Sequence, residues 1–226
     1  MVPMTTHLET RTAKSRAYFF VRPFQIIREN RRPFLLLNVL LFGLVVAGFI
    51  VGMLLPDLGT AQVSGMEDDG TLEKVMSLLS NVWIFALGIL INNAVQVGAV
   101  IVFPSLVVPF AGIAYFGYKA AEIGVTLSAN GSENWVVMLP HLVTVLIEIE
   151  AYVLLTLGAY VFGRSWIFPR TVGAPNRRRG YLRGLQQFAW LILPAFVLLV
   201  IGALYEAITL IYVILPQLAE LAALAR

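Results

Sequence analysis

Residues 138–155 read MLPHLVTVLIEIEAYVLL. Apart from Pro140, His141, Thr144, Glu148 and Glu150 the stretch is hydrocarbon, and it sits inside a longer apolar run, 135–163. Such a run exceeds the roughly 18 residues that mark a membrane-spanning helix. Two carboxyl groups near its middle lie where an ionised side chain is most costly. Groups of this kind are held against protein or water, so the stretch implies a bundle of helices rather than a single anchor.

The rest of the chain fits that implication. Hydrophobic residues make up 59% of the sequence and charged residues 13%, against about 25% charged in a soluble domain; mean hydropathy is +0.83. The expected fold is therefore all-α: a polytopic integral membrane helical bundle of about five transmembrane helices in the cell membrane. The spans fall at about 34–55, 81–103, 105–127, 135–163 and 185–212, forming one transmembrane domain over 34–226. Residues 1–33 form a separate basic segment, and no cleavable signal peptide is expected. Within it, AYFFVRPFQIIRENRR mixes aromatic and aliphatic side chains with arginines, which suits a helix lying in the headgroup plane; a disordered basic tail is the alternative.

Charge placement sets an expected orientation. Arg28, Arg31 and Arg32 close the basic N-terminal segment, and Arg164, Arg170, Arg177, Arg178, Arg179 and Arg183 fill the link 164–183 without an acid. Acidic residues gather instead at 56–80, read as a solvated loop. Five spans put both arginine-rich segments on one side, which the positive-inside rule makes cytoplasmic. The N-terminus is then inside and the C-terminus outside, with Arg28, Arg31, Arg32, Arg177, Arg178 and Arg179 as orienting and lipid-facing residues. Arginines beside a span, without a recognition motif, do not indicate nucleic-acid binding. Beyond the last span, Pro216 is expected to interrupt a short apolar tail, QLAELAALA, which suits a surface helix. Gly43, Gly48 and Gly52 on the first span fit either close helix approach or ordinary glycine enrichment in membrane helices.

The candidate site is the set of polar residues at bilayer depth: Asn92, Asn93 and Gln96 on the second span, Lys119 and Glu122 on the third, and His141, Glu148 and Glu150 on the fourth. At about 100° per residue, His141, Val145, Glu148 and Tyr152 share one helix face while Glu150 points away. The arrangement expected is Lys119 paired with Glu148 or Glu150, Glu122 facing His141, and the asparagines bridging helices. Such a cluster either ties the bundle or an oligomer together or lines a proton or ion route. Glu206 stands alone on the fifth span, as an oligomer contact or a protonated carboxyl.

An enzyme is not expected. Cysteine is absent, as are HExxH, GxSxG and phosphate-binding glycine loops, so no catalytic, cofactor-binding or metal-ligating set stands out.

Several features over about residues 25–170 resemble the stage II sporulation protein M family. They are INNAVQVG after an apolar run, the glycine-rich FPSLVVPFAGIAYFG, and WVVMLPHLVTVLIEIEAY with its Trp, Pro-His and Glu-x-x-Ala. Asn92, Asn93, Gly112, Gly124, Pro140, His141, Glu148 and Ala151 match the family pattern; Leu142 stands where the family has Gly, and Lys119-Ala120 where it has Asn-Gly. The resemblance implies a multi-span scaffold or assembly subunit that contacts itself or other membrane proteins. A permease-like subunit of an exporter or ion-coupled transporter is the alternative.

Overall fold

A computed structural model describes residues 21–68, 77–131 and 135–224. The first twenty residues, including the aromatic start of the basic segment, and the acidic positions 69–76 lie outside the described residues. A short helix α1 (21–29) meets α2 (Arg31–Leu54) at Asn30, and α3 (Pro56–Asp68) follows. Next comes α4 (Val82–Val107), then α5 (Ala111–Gly131) and α6 (Trp135–Ile167). The last element, α7, runs from Arg177 through Thr209 and a wide turn at Leu210–Ile214 to Leu224.

Among the described residues, α2, α4, α6 and α7 are long and apolar enough to cross a membrane. The chain is thus a multi-pass integral membrane protein with an all-α fold. α6 is the most enclosed of the four: from Ala151 to Ala159 every residue is buried. It therefore has no lipid face along this stretch, which is why its sequence is apolar all round. α5 is also long enough to span, at about 1.5 Å per residue, but it carries Lys119 and Glu122.

Small residues set the two main helix contacts. α2 and α5 run parallel and very close: Gly48 abuts the Ala121 carbonyl, and Gly124 abuts that of Val45. A Cβ at either would strike backbone, so glycine there permits the approach. Gly43 has nothing within 4 Å of where a Cβ would sit, so only part of the glycine series serves packing. α6 and α7 pair antiparallel, with Gly158 against the Phe188 ring, Gly184 against Phe162 and Gly202 against Glu148.

The turn between α4 and α5 corrects an expected boundary: α4 continues to Val107, and only residues 108–110 separate the helices. The Ser105 hydroxyl holds this turn, donating to the Ile101 carbonyl at 2.7 Å and accepting from the Gly112 amide at 2.9 Å. Phe110 takes a left-handed backbone, φ 70, unusual for a residue with a Cβ, and its ring seats over Gly163.

Three further expectations change. Residues 56–68 of the acidic stretch are helical rather than a loop, with Pro56 opening the helix and Asp57 in its first turn; proline suits that position because its missing N–H is not needed there. The arginine-rich link shortens to 168–176, since α6 reaches Ile167 and α7 begins at Arg177 under an Asn176 cap that accepts from the Arg179 amide at 2.9 Å. Pro216 does not end the last helix. The wide turn just before it already departs from the regular α ladder, with the Leu215 amide reaching back to Leu210, so the helix continues through the proline.

The arginine-rich segments meet at one end of the bundle. Tyr181 at the start of α7 donates to the Leu106 carbonyl at the end of α4 (3.3 Å), and Arg183 donates to Val172 at 2.6 Å. Tyr181 also stands edge-on to Phe162 and Trp166, with centroids 4.9 and 5.1 Å away. At the same end α1 docks on the bundle, with Ile26 fully buried and Asn30 donating its side-chain amide to the Ile26 carbonyl at 2.9 Å.

Candidate functional site

The second span is not a regular α-helix. Between Asn93 and Ala99 it widens into a π-helix, a form that concentrates at functional positions. The Gln96 carbonyl accepts a hydrogen bond from the Tyr115 hydroxyl of α5 at 3.1 Å. The widened segment is thereby tied to its neighbour, and Asn93 turns inward, where its side-chain amide donates to the Glu148 carboxylate of α6. The expectation that an asparagine bridges helices holds at Asn93.

Asn93, Lys119, Glu122, His141 and Glu148 line one cavity of about 230 Å³, together with Thr126, Val145 and Tyr152. Helical phase had put His141, Val145, Glu148 and Tyr152 on one face, and all four reach this space. Glu150, expected to point away, does not line it. Asn92 and Gln96 also stay out of it, because both are exposed on the outer face of α4. They lie four residues apart, and so on one side of the helix, while Asn93 and Val97 take the inner side.

The expected ion pairs are corrected. Lys119 pairs with Glu122 on its own helix, Nζ to Oε2 at 2.9 Å, rather than with Glu148 or Glu150. Three residues' spacing on one helix brings these two side chains together without any neighbouring helix. The pair stands at the cavity's margin, its side chains 29% and 22% exposed.

Behind Glu148 lies a residue that sequence reasoning left isolated. Gly202 of α7 packs on the Glu148 side chain, its notional Cβ 3.3 Å from Cγ, and Glu206 one turn further on interacts with Glu148 electrostatically. Tyr152, one turn along α6 from Glu148, lies near both carboxyls. Its side chain is 2% exposed, and its hydroxyl has no hydrogen-bond partner. The signals for these residues were present in spacing: Tyr152 falls four after Glu148, and Thr126 four after Glu122. Nothing in the spacing of the fifth span marks Glu206 as a neighbour of Glu148. That proximity follows from how α6 and α7 pack.

The remaining predicted residues are distant from this space. Arg177, Arg178 and Arg179 are exposed at the first turn of α7, and Arg28, Arg31 and Arg32 are exposed around the α1–α2 junction. Among the described residues no group of three or more His, Cys, Asp or Glu side chains could hold a metal ion.

Fold and cavity together define a multi-pass membrane protein with a half-open cavity between α4, α5 and α6 that carries polar side chains from all three. Comparison with family models, curated proteins and solved structures finds no match to this chain.

Proposed function

We propose that the protein is an assembly subunit of a membrane complex, with the outer face of α4 covered by another membrane-spanning chain. The observation that carries this reading is the exposure of Asn92 and Gln96 on a helix whose other exposed side chains include Ile84, Leu87, Ile91 and Val95. Asn92 makes only a long hydrogen bond, donating to the Asn93 side-chain oxygen at 3.5 Å, and an amide left short of partners in an apolar medium costs about 1–3 kcal/mol. A second chain can hydrogen-bond such amides, which is how polar side chains join transmembrane helices. The Lys119–Glu122 pair, partly open beside the same helix, adds to the polar surface that a neighbour would cover.

In this reading α5 is a fifth span, α1 and the residues before it lie at the cytoplasmic headgroups, and the gathered arginines fix that side inward. The C-terminus is then outside. The resemblance to the stage II sporulation protein M family supports a role in organising other membrane proteins, and the reading assigns the chain no catalytic step.

Because the sequence has no cysteine, single cysteines map the face cleanly. Gln96→Cys in native membranes should crosslink to itself or to a neighbour, whereas Val39→Cys, on the exposed side of α2, should not. A monomeric mass in lipid nanodiscs together with equal crosslinking at both positions would defeat the reading.

A further inference from the structure

Where α6 stops and α7 begins, two further cavities of about 290 and 210 Å³ adjoin each other, with Val172 and Gln187 on the wall they share. They are bordered by α1, the last turns of α6, the link 168–176 and the opening turns of α7. Three arginines line this space: Arg164 the larger cavity, Arg22 and Arg183 the smaller. Arg22 faces Glu29, Nη1 to Oε1 at 3.9 Å, so one acid offsets one base. Arg183 donates one N–H to the Val172 carbonyl at 2.6 Å, a neutral partner that leaves its charge and its other donors available. The exposed Arg164 side chain makes neither a hydrogen bond nor an ion pair among the described residues. Two uncompensated guanidinium groups therefore flank one shared wall.

We propose that these cavities seat the headgroup of an anionic phospholipid, with its phosphodiester between Arg164 and Arg183 and the Gln187 amide as a further donor. A guanidinium presents paired N–H groups that match two oxygens of a phosphate, and basic pockets between membrane helices are where such headgroups bind. Charge sets the class of ligand: two free cations beside the Glu29 carboxylate favour a singly charged phosphodiester over a dianionic phosphate ester. Depth favours a lipid over a soluble phosphate. Trp190 lines the smaller cavity, and tryptophan concentrates at the level of the headgroups. On the same side of α7 as Gln186 and Trp190, Leu193 and Val197 are exposed, an apolar strip along which an acyl chain can run from the cavity into the bilayer. Each cavity is several times the about 30 Å³ of one water, room for a phosphate and the glycerol beyond it. Arg177, Arg178 and Arg179 line neither cavity, so the site is distinct from the general basic surface at this end. It forms within one chain and does not depend on the assembly proposed above.

The test is native mass spectrometry of the full chain released from phosphatidylcholine nanodiscs with increasing phosphatidylglycerol, together with thermal unfolding in the same discs. A phosphatidylglycerol molecule should be retained, and the unfolding midpoint should rise saturably. Arg164→Gln and Arg183→Gln should each weaken retention about fivefold, the effect of one basic residue beside an anionic headgroup, while Arg178→Gln leaves it unchanged. Equal weakening by all three variants would mean diffuse surface charge and overturn the site, as would no retained lipid or equal retention of phosphatidylcholine. Glycerophosphoglycerol, the same phosphodiester without acyl chains, separates the two sources of phosphate. Added to pure phosphatidylcholine discs it should not shift the midpoint, and a shift matching that of phosphatidylglycerol overturns the lipid assignment. Should a glutamine variant fail to fold, Arg164→Lys and Arg183→Lys decide, since lysine keeps the charge without the paired donors; undiminished retention in both rejects the clamp.

Discussion

Asn93 and Glu148, 55 residues apart in sequence, are joined by a side-chain hydrogen bond across the interior of the bundle. It links the π-helical segment of α4 to the most enclosed helix, and it is the only protein contact that satisfies the Glu148 carboxyl among the described residues. Asn93→Ala should therefore lower stability by about 0.5–2 kcal/mol. Adding Glu148→Gln to Asn93→Ala should cost less than the two single changes summed. A double-mutant cycle by thermal unfolding in detergent measures this coupling; strict additivity would show that the bond carries no energy.

The close approach of α2 and α5 gives a sharper contrast. Gly48→Leu and Gly124→Leu each place a side chain into opposing backbone and should destabilise by roughly 2 kcal/mol or more. Gly43→Leu, in open space, should stay within about 0.5 kcal/mol of the parent. Folded yield after extraction and the unfolding midpoint report the difference, and equal effects at all three positions would contradict the packing described.

Lys119 and Glu122 should behave as one unit. Lys119→Leu leaves Glu122 without its cation at bilayer depth, a loss of the kind that costs about 3–5 kcal/mol when the partner is buried and less here because the pair is partly open. The double variant Lys119→Leu/Glu122→Leu should express better than either single one. Lys119→Glu combined with Glu148→Lys should bring no recovery, since the structure does not pair those residues. Membrane yield of a tagged protein distinguishes the two outcomes.

Two tyrosines offer opposite expectations. Tyr115→Phe removes the donor to the Gln96 carbonyl and should cost about 0.5–1.5 kcal/mol. Tyr152→Phe removes a hydroxyl that bonds nothing and should be neutral or stabilising by thermal unfolding.

Sidedness has its own check. An introduced Ala61→Cys on α3 should react with a membrane-impermeant maleimide from outside intact cells, and Pro175→Cys, between α6 and α7, only after permeabilisation. The reverse pattern would invert the proposed topology.

Much of this architecture was legible in the sequence because membrane helices must satisfy their backbone internally and so announce themselves by length and apolarity. Phase alone put His141, Val145, Glu148 and Tyr152 on one wall. What periodicity could not carry is partner choice. Lys119 had carboxyls available on its own helix and on another, and the nearer one along its helix won, an outcome set by side-chain reach rather than by depth. Nor could phase tell that Asn93 rather than Asn92 faces the interior, or foresee the π segment, which shifts every later residue relative to an α-helix. The tail beyond Pro216 is helical, but it is continuous with the last span: the widened turn before the proline relieves the clash that would otherwise interrupt the helix.

A π turn amounts to one residue more than the α-helical path requires. Taking a single residue out between 93 and 99 would let α4 return to a uniform winding with its two flanking halves in nearly their present orientation, so the change would be confined to the segment itself. Asn93 and the Gln96 carbonyl could then no longer meet Glu148 and Tyr115 together. A one-codon deletion would accordingly act on the cavity wall and leave the rest of the helix in register, so the surplus residue is itself part of how that wall is built.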